Sequence, residues 1–271
     1  MYNVDSRDRE CAVKLQDTAI LKKLAAGDLV AQEAKFHESD EGCILCKMSS
    51  SRSLNLFHQF GKKIIGIGMN YRNVAKELGA PIPNKPLVFL KPTTTYITEG
   101  QDIRAILDDF SPNCKEMLYE IEFGVVIGKR GFNISRSEAD SYIGGYCVTL
   151  DMTSKDHWLE ANKNGHPWAL AKAFDTSTPI GRFIEKSKVS DPTNVQLWLN
   201  LNGKQRQYEN TGDMIFPVDY LLEYVTQYMS VEEGDLIITG TPPGFDTVHK
   251  GDVIEAGFKN IDSIKFHVSK N

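Results

Sequence analysis

Short apolar runs separated by turn residues cover the chain from Lys62 onward. Several of these runs alternate apolar and polar positions, and their even spacing favours β-strands over the alternating strands and long helices of βαβ units. The candidate strands read KKIIGIG, PLVFLK, EIEFGVVIG, GYCVTLDMT, VQLWLNLNG, DLIITG, DVIEAG and SIKFHV. The pattern therefore predicts an α+β chain in which sheets dominate.

Helical signals are few. We predict helices within residues 70–78, 137–143 and 217–229. The third segment is the clearest, because Tyr220, Leu221, Tyr224, Val225 and Tyr228 recur at helical spacing. The helices are expected to be short and peripheral to the sheets.

The first 47 residues differ in composition from the rest of the chain. They are rich in acids and carry only a weak helical pattern with no identifiable apolar partner face. We interpret residues 1–47 as an N-terminal extension, ordered or disordered, and residues 48–271 as one catalytic domain. Transit peptides are poor in acids, so the acidic residues 1–47 do not resemble one. The stretch that begins at Met48 is Ser-rich, basic and free of acids, which makes Met48 the more natural start.

Composition narrows the possible functions. The 271 residues are 41% hydrophobic and 25% charged, which is typical of a globular chain with a sizeable core. A net charge of −5 offers no cationic surplus for a nucleic acid, and no apolar run is long enough to span a membrane. The N-terminus has no apolar core of a secretory signal, so we expect an intracellular location. The odd number of cysteines, five, favours reduced thiols.

Two acids interrupt an otherwise apolar strand. Glu120 and Glu122 are two residues apart, so period-two geometry places both carboxylates on one face, where burial is costly without a cation. Asp151 ends a second apolar strand and can join them. Oxygen ligands suit Mg²⁺, Mn²⁺ or Ca²⁺ better than Zn²⁺. The alternative is a half-exposed strand with a polar outer face.

Two further segments carry candidate site residues. Lys172 lies in an apolar and aromatic run and can balance the third carboxylate, although a lysine that reaches out from a surface strand is an equal alternative. Thr241 lies in a Gly/Pro turn, TGTPPG, that can direct a hydroxyl and backbone N–H groups at an anion. By itself that segment is only a turn.

Taken in order, several segments resemble the fumarylacetoacetate hydrolase family, in particular its acylpyruvase and oxaloacetate decarboxylase branch. They are IGMNYRNVAKEL, KPLVFLKPTT, YEIEFGVVIGKRG, GGYCVTLDMTSKD, PWALAKAFDTSTPIG, LNGKQRQYENTGDMIF and EEGDLIITGTPPG with DVIEAG. The likeness covers residues 48–271. It implies a mixed β-roll with short peripheral helices, and Mg²⁺ or Mn²⁺ held by Glu120, Glu122 and Asp151.

The resemblance implies a hydrolase or lyase that acts on small 2-oxo acids through a metal-bound enolate, by oxaloacetate decarboxylation, acylpyruvate hydrolysis or both. It implies that Lys172 stabilises negative charge and that Glu77 is the acid/base group. Substrate binding would fall to Tyr71, Lys91, Lys155 and Thr241. Relatives of this kind are usually homodimers, mitochondrial or cytoplasmic, without nucleic-acid or membrane partners.

The sequence departs from the family pattern at several positions. Val74 replaces the histidine that works with the glutamate at Glu77 to activate water, and valine cannot accept a proton. Lys155 replaces an arginine, Trp158 a glutamine and Met69 an arginine. His157 is a candidate substitute base. An oxaloacetate keto-enol tautomerase, an isomerase or hydratase of larger oxo acids, and a binder of metal and dicarboxylate without turnover therefore remain alternatives.

Overall fold

The computed structural model describes residues 53–105 and 116–269. Within these ranges the chain forms fifteen strands and five short α-helices, which confirms the β-dominated α+β class. The interpretation of residues 1–47 as an extension lies outside the described residues. Among the described helices, none is both long and apolar enough to cross a membrane.

The largest sheet has eight strands and mixed direction. Its order is β2-β1-β12-β5-β6-β8-β3, and β9 pairs with β6. The pairs β1–β12 and β3–β8 are parallel, and the others are antiparallel. The strands are β1 (Ile64–Gly68), β2 (Leu87–Lys91), β3 (Tyr96–Thr98), β5 (Ile121–Ile127), β6 (Ile143–Leu150), β8 (Thr178–Ile180), β9 (Ile184–Glu185) and β12 (Leu236–Ile238).

Two smaller sheets complete the architecture. A four-stranded sheet has the order β11-β10-β14-β15, and a three-stranded sheet has the order β13-β4-β7. The first consists of β10 (Gln196–Leu201), β11 (Lys204–Asn210), β14 (Val253–Phe258) and β15 (Asp262–His267), and the second of β4 (Met117–Tyr119), β7 (Thr153–Ser154) and β13 (Asp246–Val248). An Asn202-Gly203 turn with positive φ at both residues joins β10 to β11, as the twist of a hairpin requires.

Burial follows the predicted apolar pattern. In β10 the buried positions are Leu197, Leu199 and Leu201, alternating with partly exposed residues. β5 is buried along its whole length because β12 and β6 flank it and both of its faces are covered. The carboxylates at the start of β5 therefore enter the site from a fully buried strand in the middle of the large sheet.

The helices are α1 (Phe57–Phe60), α2 (Arg72–Glu77), α3 (Lys155–Asn164), α4 (Ala169–Lys172) and α5 (Val218–Thr226). The predictions for residues 70–78 and 217–229 are confirmed by α2 and α5. The helix predicted at 137–143 is only a 3₁₀ turn, Ala139–Tyr142. α3 was not predicted, because it is polar and buries only Ala161, so it lacks an apolar stripe.

The apolar segment that contains Glu120 and Glu122, predicted as one strand, is broken at Glu120. Before it, β4 pairs within the three-stranded sheet, and after it, β5 pairs within the large sheet. At this corner the N–H of Ile121 donates to Oε1 of Gln207 at 3.0 Å. A side-chain amide thus replaces the usual backbone partner while the chain passes from one sheet to the other.

Candidate metal centre and adjoining cavity

Three carboxylates converge where β5 begins and β6 ends. Ile121 pairs with Leu150, and the N–H of Asp151 donates to the carbonyl of Glu120 at 2.9 Å. One ligand oxygen from each of Glu120, Glu122 and Asp151 lies within 4.8 Å of the others. Asp151 and Glu122 are 0% and 1% exposed, whereas Glu120 keeps 9% of its surface open. The convergence predicted from sequence is therefore present, and Glu120 is its solvent-facing member.

Two buried lysines hold the cluster from different sides. Nζ of Lys172 lies 2.6 Å from Oδ2 of Asp151, 3.0 Å from Oε2 of Glu120 and 2.6 Å from the hydroxyl of Thr153. Nζ of Lys91 donates to Oδ1 of Asp151, and to the carbonyl of Ser177 at 2.7 Å. Asp151 thus accepts from one lysine on each of its two oxygens.

The lysines affect the three acids unequally. Burial raises the pKa of Glu122 well above its usual value, and the negative charges of Asp151 and Glu120 raise it further. Burial also raises the pKa of Glu120, in opposition to Lys172. Asp151 has a lowered pKa, because Lys172 and Lys91 outweigh the effect of its burial. Glu122 is therefore the carboxylate with the least favourable charge environment.

The donor set fits a hard divalent cation. The three carboxylates carry one more charge than the two lysines, so one negative charge is left in a buried space. A bound metal ion would relieve the repulsion among the carboxylates that raises the pKa of Glu122. The cluster offers only oxygen ligands, which suit Mg²⁺ or Mn²⁺. Glu120, Glu122 and Asp151 are the residues that would hold such an ion.

The turn after β12 positions Glu122 and presents Thr241. The N–H of Gly240 donates to Oε2 of Glu122 at 2.7 Å. Gly240 has a φ of +97°, and a Cβ there would lie 2.8 Å from Cβ of Asn70, so glycine is required by both conformation and space. The hydroxyl of Thr241 accepts from Nε2 of Gln207 at 2.9 Å, which leaves its proton for another partner.

A cavity opens from the carboxylates toward solvent. Glu120, Lys172 and Thr241 contribute polar groups to its wall, and the other described lining residues are Gly68, Met69, Val74, Leu78, Leu118, Trp158, Trp168 and Phe245. The cavity therefore has a charged end at the carboxylates and an apolar remainder. Such a site can hold a small anion at one end and exclude water from the other.

The predicted catalytic and substrate-binding residues on α2 are placed differently from one another. Val74 is buried and lines the cavity, whereas Glu77, one turn further on, is exposed and is not among the described lining residues. Tyr71 is fully buried, and its hydroxyl has no hydrogen-bond partner among the residues that the structure describes. Burial raises the pKa of Tyr71 well above its usual value, and the negative charge of Glu122 raises it further. The hydroxyl of Tyr71 therefore stays protonated.

The remaining predicted substrate contacts are Lys91 and Lys155. Lys91 is buried against Asp151 and is not among the described residues that line the cavity. Lys155, at the start of α3, forms an ion pair with Glu116 at 2.8 Å and is also absent from that lining. His157 lies on α3, and its Nδ1 is 2.7 Å from the hydroxyl of Ser154.

Sequence reasoning missed the buried amides that support the site. Gln207 bonds Ile121, Thr241 and the carbonyl of Pro242, and so ties the corner at Glu120 to the turn after β12. Asn70 bonds the carbonyls of Phe216 and Thr239, at 3.0 and 2.8 Å. Both amides lie in segments that carry the family resemblance, but their partners are far away in sequence and no local pattern indicates them.

Comparison with known proteins agrees with this geometry. The model of the fumarylacetoacetate hydrolase C-terminal family matches residues 63–269. The chain is 45% identical over 216 residues to the mitochondrial oxaloacetate tautomerase of Caenorhabditis elegans, covering 80% of this chain and 99% of that protein. It is 42% identical over 210 residues to the mitochondrial oxaloacetate decarboxylase of Dictyostelium discoideum, covering 78% and 94%.

A solved structure gives the same result at the level of the fold. The crystal structure of fumarylpyruvate hydrolase from Pseudomonas aeruginosa, in complex with Mn²⁺ and pyruvate, matches with a TM-score of 0.72 and 28% identity. The match covers 78% of this chain and 91% of that one. Sequence, fold and the buried acidic cluster agree, and the chain belongs to the fumarylacetoacetate hydrolase family.

Proposed function

We propose that the chain is a divalent-metal-dependent enzyme that acts on small 2-oxo acids through an enolate, by oxaloacetate decarboxylation, acylpyruvate hydrolysis or both. The observation that carries the proposal is the buried cluster of Glu120, Glu122 and Asp151, which adjoins Lys172 at the charged end of an open cavity. The relatives are named for activities on oxaloacetate and fumarylpyruvate, which supports the same substrate class.

A bound Mg²⁺ or Mn²⁺ would supply Lewis-acid polarisation of the 2-oxo group. Lys172 supplies fixed positive charge beside it. The pKa of Lys172 is raised because Asp151 and Glu120 outweigh the effect of burial, so the ammonium stays charged at neutral pH. It therefore stabilises negative charge that develops on the substrate and does not act as the base.

Thr241 is suited to the substrate carboxylate. Because its oxygen already accepts from Gln207, the hydroxyl proton can be donated into the cavity, where Thr241 contributes to the wall. With the carboxylate at Thr241 and the 2-oxo group at the acidic cluster, the rest of the substrate would extend toward the apolar lining side chains. These side chains would limit the access of water to C3, where a proton or CO₂ is lost.

Val74 favours chemistry that does not require an activated water. It lines the cavity at the position where relatives are expected to carry a histidine, and the described lining contains no histidine. Decarboxylation and keto-enol interconversion of oxaloacetate need only enolate stabilisation and a proton carrier. A tautomerase is therefore our second candidate, and Glu77 remains the predicted acid/base group in either case.

Parallel assays test the proposal. We expect pyruvate release from oxaloacetate, or decay of its enol form, to require Mg²⁺ or Mn²⁺ and to stop with a chelator. Lys172→Met is expected to lower turnover by about 10² or more, because it removes a charge at the reacting end. Lys163→Met, an exposed lysine on α3, is the matched control and should leave turnover unchanged.

Three results would contradict the proposal or narrow it. Turnover that persists with chelator would exclude a metal-dependent enzyme. Metal binding without turnover of oxaloacetate or acetylpyruvate would leave the non-catalytic binder. Turnover of oxaloacetate but not of acetylpyruvate would show that Val74 removes hydrolysis and leaves the enolate chemistry.

The location and assembly are part of the same proposal. Both the nematode and the slime-mould relatives are named as mitochondrial, and we propose the same compartment for this chain in preference to the cytoplasm. We also propose a homodimer, as the family resemblance implies. Light scattering on the purified chain measures the second property directly, and a monomer would contradict it.

A further inference from the structure

Strand β2 forms one edge of the large sheet, and its outer side is apolar. It pairs with β1 and, among the described residues, with no other strand. Leu87, Val88 and Leu90 on this strand are exposed although all three are apolar. A free edge of this kind can pair with another strand, and proteins usually protect it with charged side chains, which residues 87–90 do not carry.

A groove beside this edge continues the apolar surface. Residues 87–90 form one side of it, and residues 166–169 with Met229 form the other. We call it the outer groove, because it lies apart from the acidic cluster. Leu170, 74% exposed, follows one of these segments, and Tyr228, 69% exposed, precedes Met229, so the exposed surface extends beyond the outer groove itself.

The size of this surface is close to that of a dimer interface. Its five exposed side chains leave on the order of 500 Å² open to solvent, against the roughly 800 Å² that each partner of a standard interface buries. The five are Leu87, Val88, Leu90, Leu170 and Tyr228. They supply more than half of the area that a stable dimer needs, before the backbone of β2 and the remaining groove residues are counted.

A second copy of the chain is the occupant that this surface fits. Two copies of one strand can pair antiparallel about a two-fold axis, because each copy then offers the other the same backbone groups and the same apolar side chains. The chain carries a net charge of −5, so two copies repel each other where their acidic surfaces meet. The described lining of the outer groove contains no lysine, arginine, aspartate or glutamate, as is typical of the core of an interface.

Trp168 separates the outer groove from the cavity at the acidic cluster, because it lines both. Phe89 also lines the outer groove, and its ring centroid lies 5.6 Å from that of Trp168 and 5.2 Å from Nζ of Lys172. Helix α4 follows Trp168 and ends at Lys172. Whatever covers the outer groove therefore also supports the aromatic side chains that pack against Lys172.

We propose that a second copy of the chain covers the outer groove and the edge of β2, with the two β2 strands antiparallel about a two-fold axis, and that this contact holds Trp168 and Phe89 against Lys172. The inference rests on the homodimer and on the role of Lys172 in the proposed function. It adds the surface through which the dimer forms and a reason why turnover depends on the dimer. Phe89 is a positioning residue, which acts through Lys172.

Leu90→Glu in the full chain tests the contact. Because side chains alternate along a strand, Leu90 lies on the face opposite Phe89 and Lys91, so the new carboxylate does not enter the site. In the dimer two such carboxylates meet near the axis, and we expect sedimentation to show a dissociation constant raised by about 100-fold or more. Leu159→Glu is the matched control: Leu159, like Leu90, is 50% exposed, but it lies outside the described lining of the outer groove and should stay dimeric.

Turnover and fluorescence test the link to Lys172. With Mn²⁺ and saturating oxaloacetate, monomeric Leu90→Glu is expected to lose turnover by about threefold or more, because the side chains behind Lys172 are no longer held by the partner. The wild type should lose turnover per chain in the same way when it is diluted below its dissociation constant. The same dilution should shift the tryptophan emission to longer wavelength as water reaches Trp168, and Trp168→Phe should abolish that shift.

Hydrogen exchange in the wild type decides the surface even when Leu90→Glu does not fold. The backbone amides of β2 that do not bond β1 should be protected in the dimer and exchange about tenfold faster or more after dilution. Fast exchange of these amides in a dimeric sample would overturn the proposed contact.

The outcomes separate this inference from the proposed function. A Leu90→Glu chain that remains as dimeric as the wild type would overturn this surface and leave the homodimer. A wild type that is monomeric would overturn both, whatever its turnover. A monomeric Leu90→Glu chain with wild-type turnover would overturn the link to Lys172. A dimer that Leu90→Glu disrupts, in a wild type that turns over no 2-oxo acid, would support the surface and overturn the proposed function.

Discussion

At the scale of single residues, Asp151 is the centre of the site. Each of its oxygens accepts from a different buried lysine, Lys91 or Lys172, and these two cations lower its pKa although it is fully buried. Because Lys91 also bonds the carbonyl of Ser177, it holds the loop before β8 to the acidic cluster. Lys91 is placed to position Asp151, and the predicted direct contact with substrate remains a prediction.

Removing Lys91 tests that positioning role. We expect Lys91→Met to lower the free energy of unfolding by about 3 kcal/mol or more, because it leaves Asp151 buried with one cation fewer. Added Mg²⁺ should restore part of the loss. Lys265→Met is the control: Lys265 is largely exposed and pairs with Glu255, so its loss should cost less than about 1 kcal/mol. Equal losses in thermal unfolding would contradict the role of Lys91.

Val74 gives a second prediction at this scale. Val74→His places an imidazole at the cavity wall, one turn before Glu77, where it can orient and deprotonate water. We expect hydrolysis of acetylpyruvate to rise by about 10², with turnover of oxaloacetate little changed. Val74→Ala alters the packing without adding a base and serves as the control. An increase in the alanine variant as large as in the histidine variant would contradict this account of water activation.

At the scale of elements, the turn from Thr239 to Gly244 connects the sheet to the site. The N–H of Gly240 in this turn donates to Glu122, and Thr241 in the same turn supplies a hydroxyl. Gly240 also lies close to Asn70. The sequence alone indicated a Gly/Pro turn here. The tight approach of Asn70 and the bond to Glu122 depend on residues that are remote along the chain, so they became visible only in the fold.

The role of this turn in metal binding can be tested by substituting two glycines of similar backbone conformation, Gly240 and Gly100. Gly240→Ala introduces both a positive-φ strain and a clash with Asn70, and we expect weaker metal binding and a loss of about 2 kcal/mol or more of stability. Gly100→Ala, at a φ of +93° with nothing near the new Cβ, introduces the strain alone. Metal affinity reduced equally in both variants would show that the contact with Asn70 is unimportant.

Several elements followed from the sequence and others did not, for physical reasons. Strands such as β10 were predictable because their alternation reflects one buried face. The break at Glu120 was not, because the residue that permits it, Gln207, lies on a distant strand. α3 escaped prediction because it buries almost nothing, although Asp156 in its first turn and Gly165 at its left-handed end were available signals.

At the scale of the whole molecule, four segments far apart in sequence build one site. The acids come from the central strands of the large sheet, Lys172 from a short helix, and Thr241 from the turn after a strand that runs parallel to β1. Local pattern predicted the acids and the lysine as candidates. The pairing of β1 with β12 requires the whole fold, because no local signal specifies a parallel partner so distant in sequence.

The proposed division of the chain gives a prediction at the same scale. Since the family model matches residues 63–269, a chain that starts at Met48 should retain the catalytic domain. We expect residues 48–271 alone to match the full chain in melting temperature and in metal-dependent turnover. A truncated chain that unfolds or loses turnover would show that residues 1–47 belong to the working enzyme.

The most direct test of the account is calorimetric titration of Mn²⁺ into the metal-free full chain and into Glu122→Gln. We predict one ion per chain for the wild type and at least about 100-fold weaker binding for the variant, near 2.7 kcal/mol. The negative charges of Asp151 and Glu120 repel the buried carboxylate of Glu122, and glutamine removes that repulsion. The variant should therefore remain as heat-stable as the wild type. Glu255→Gln, at a half-exposed position of β14, should bind Mn²⁺ normally. Equal affinity of Glu122→Gln and wild type would contradict a metal centre built on Glu120, Glu122 and Asp151.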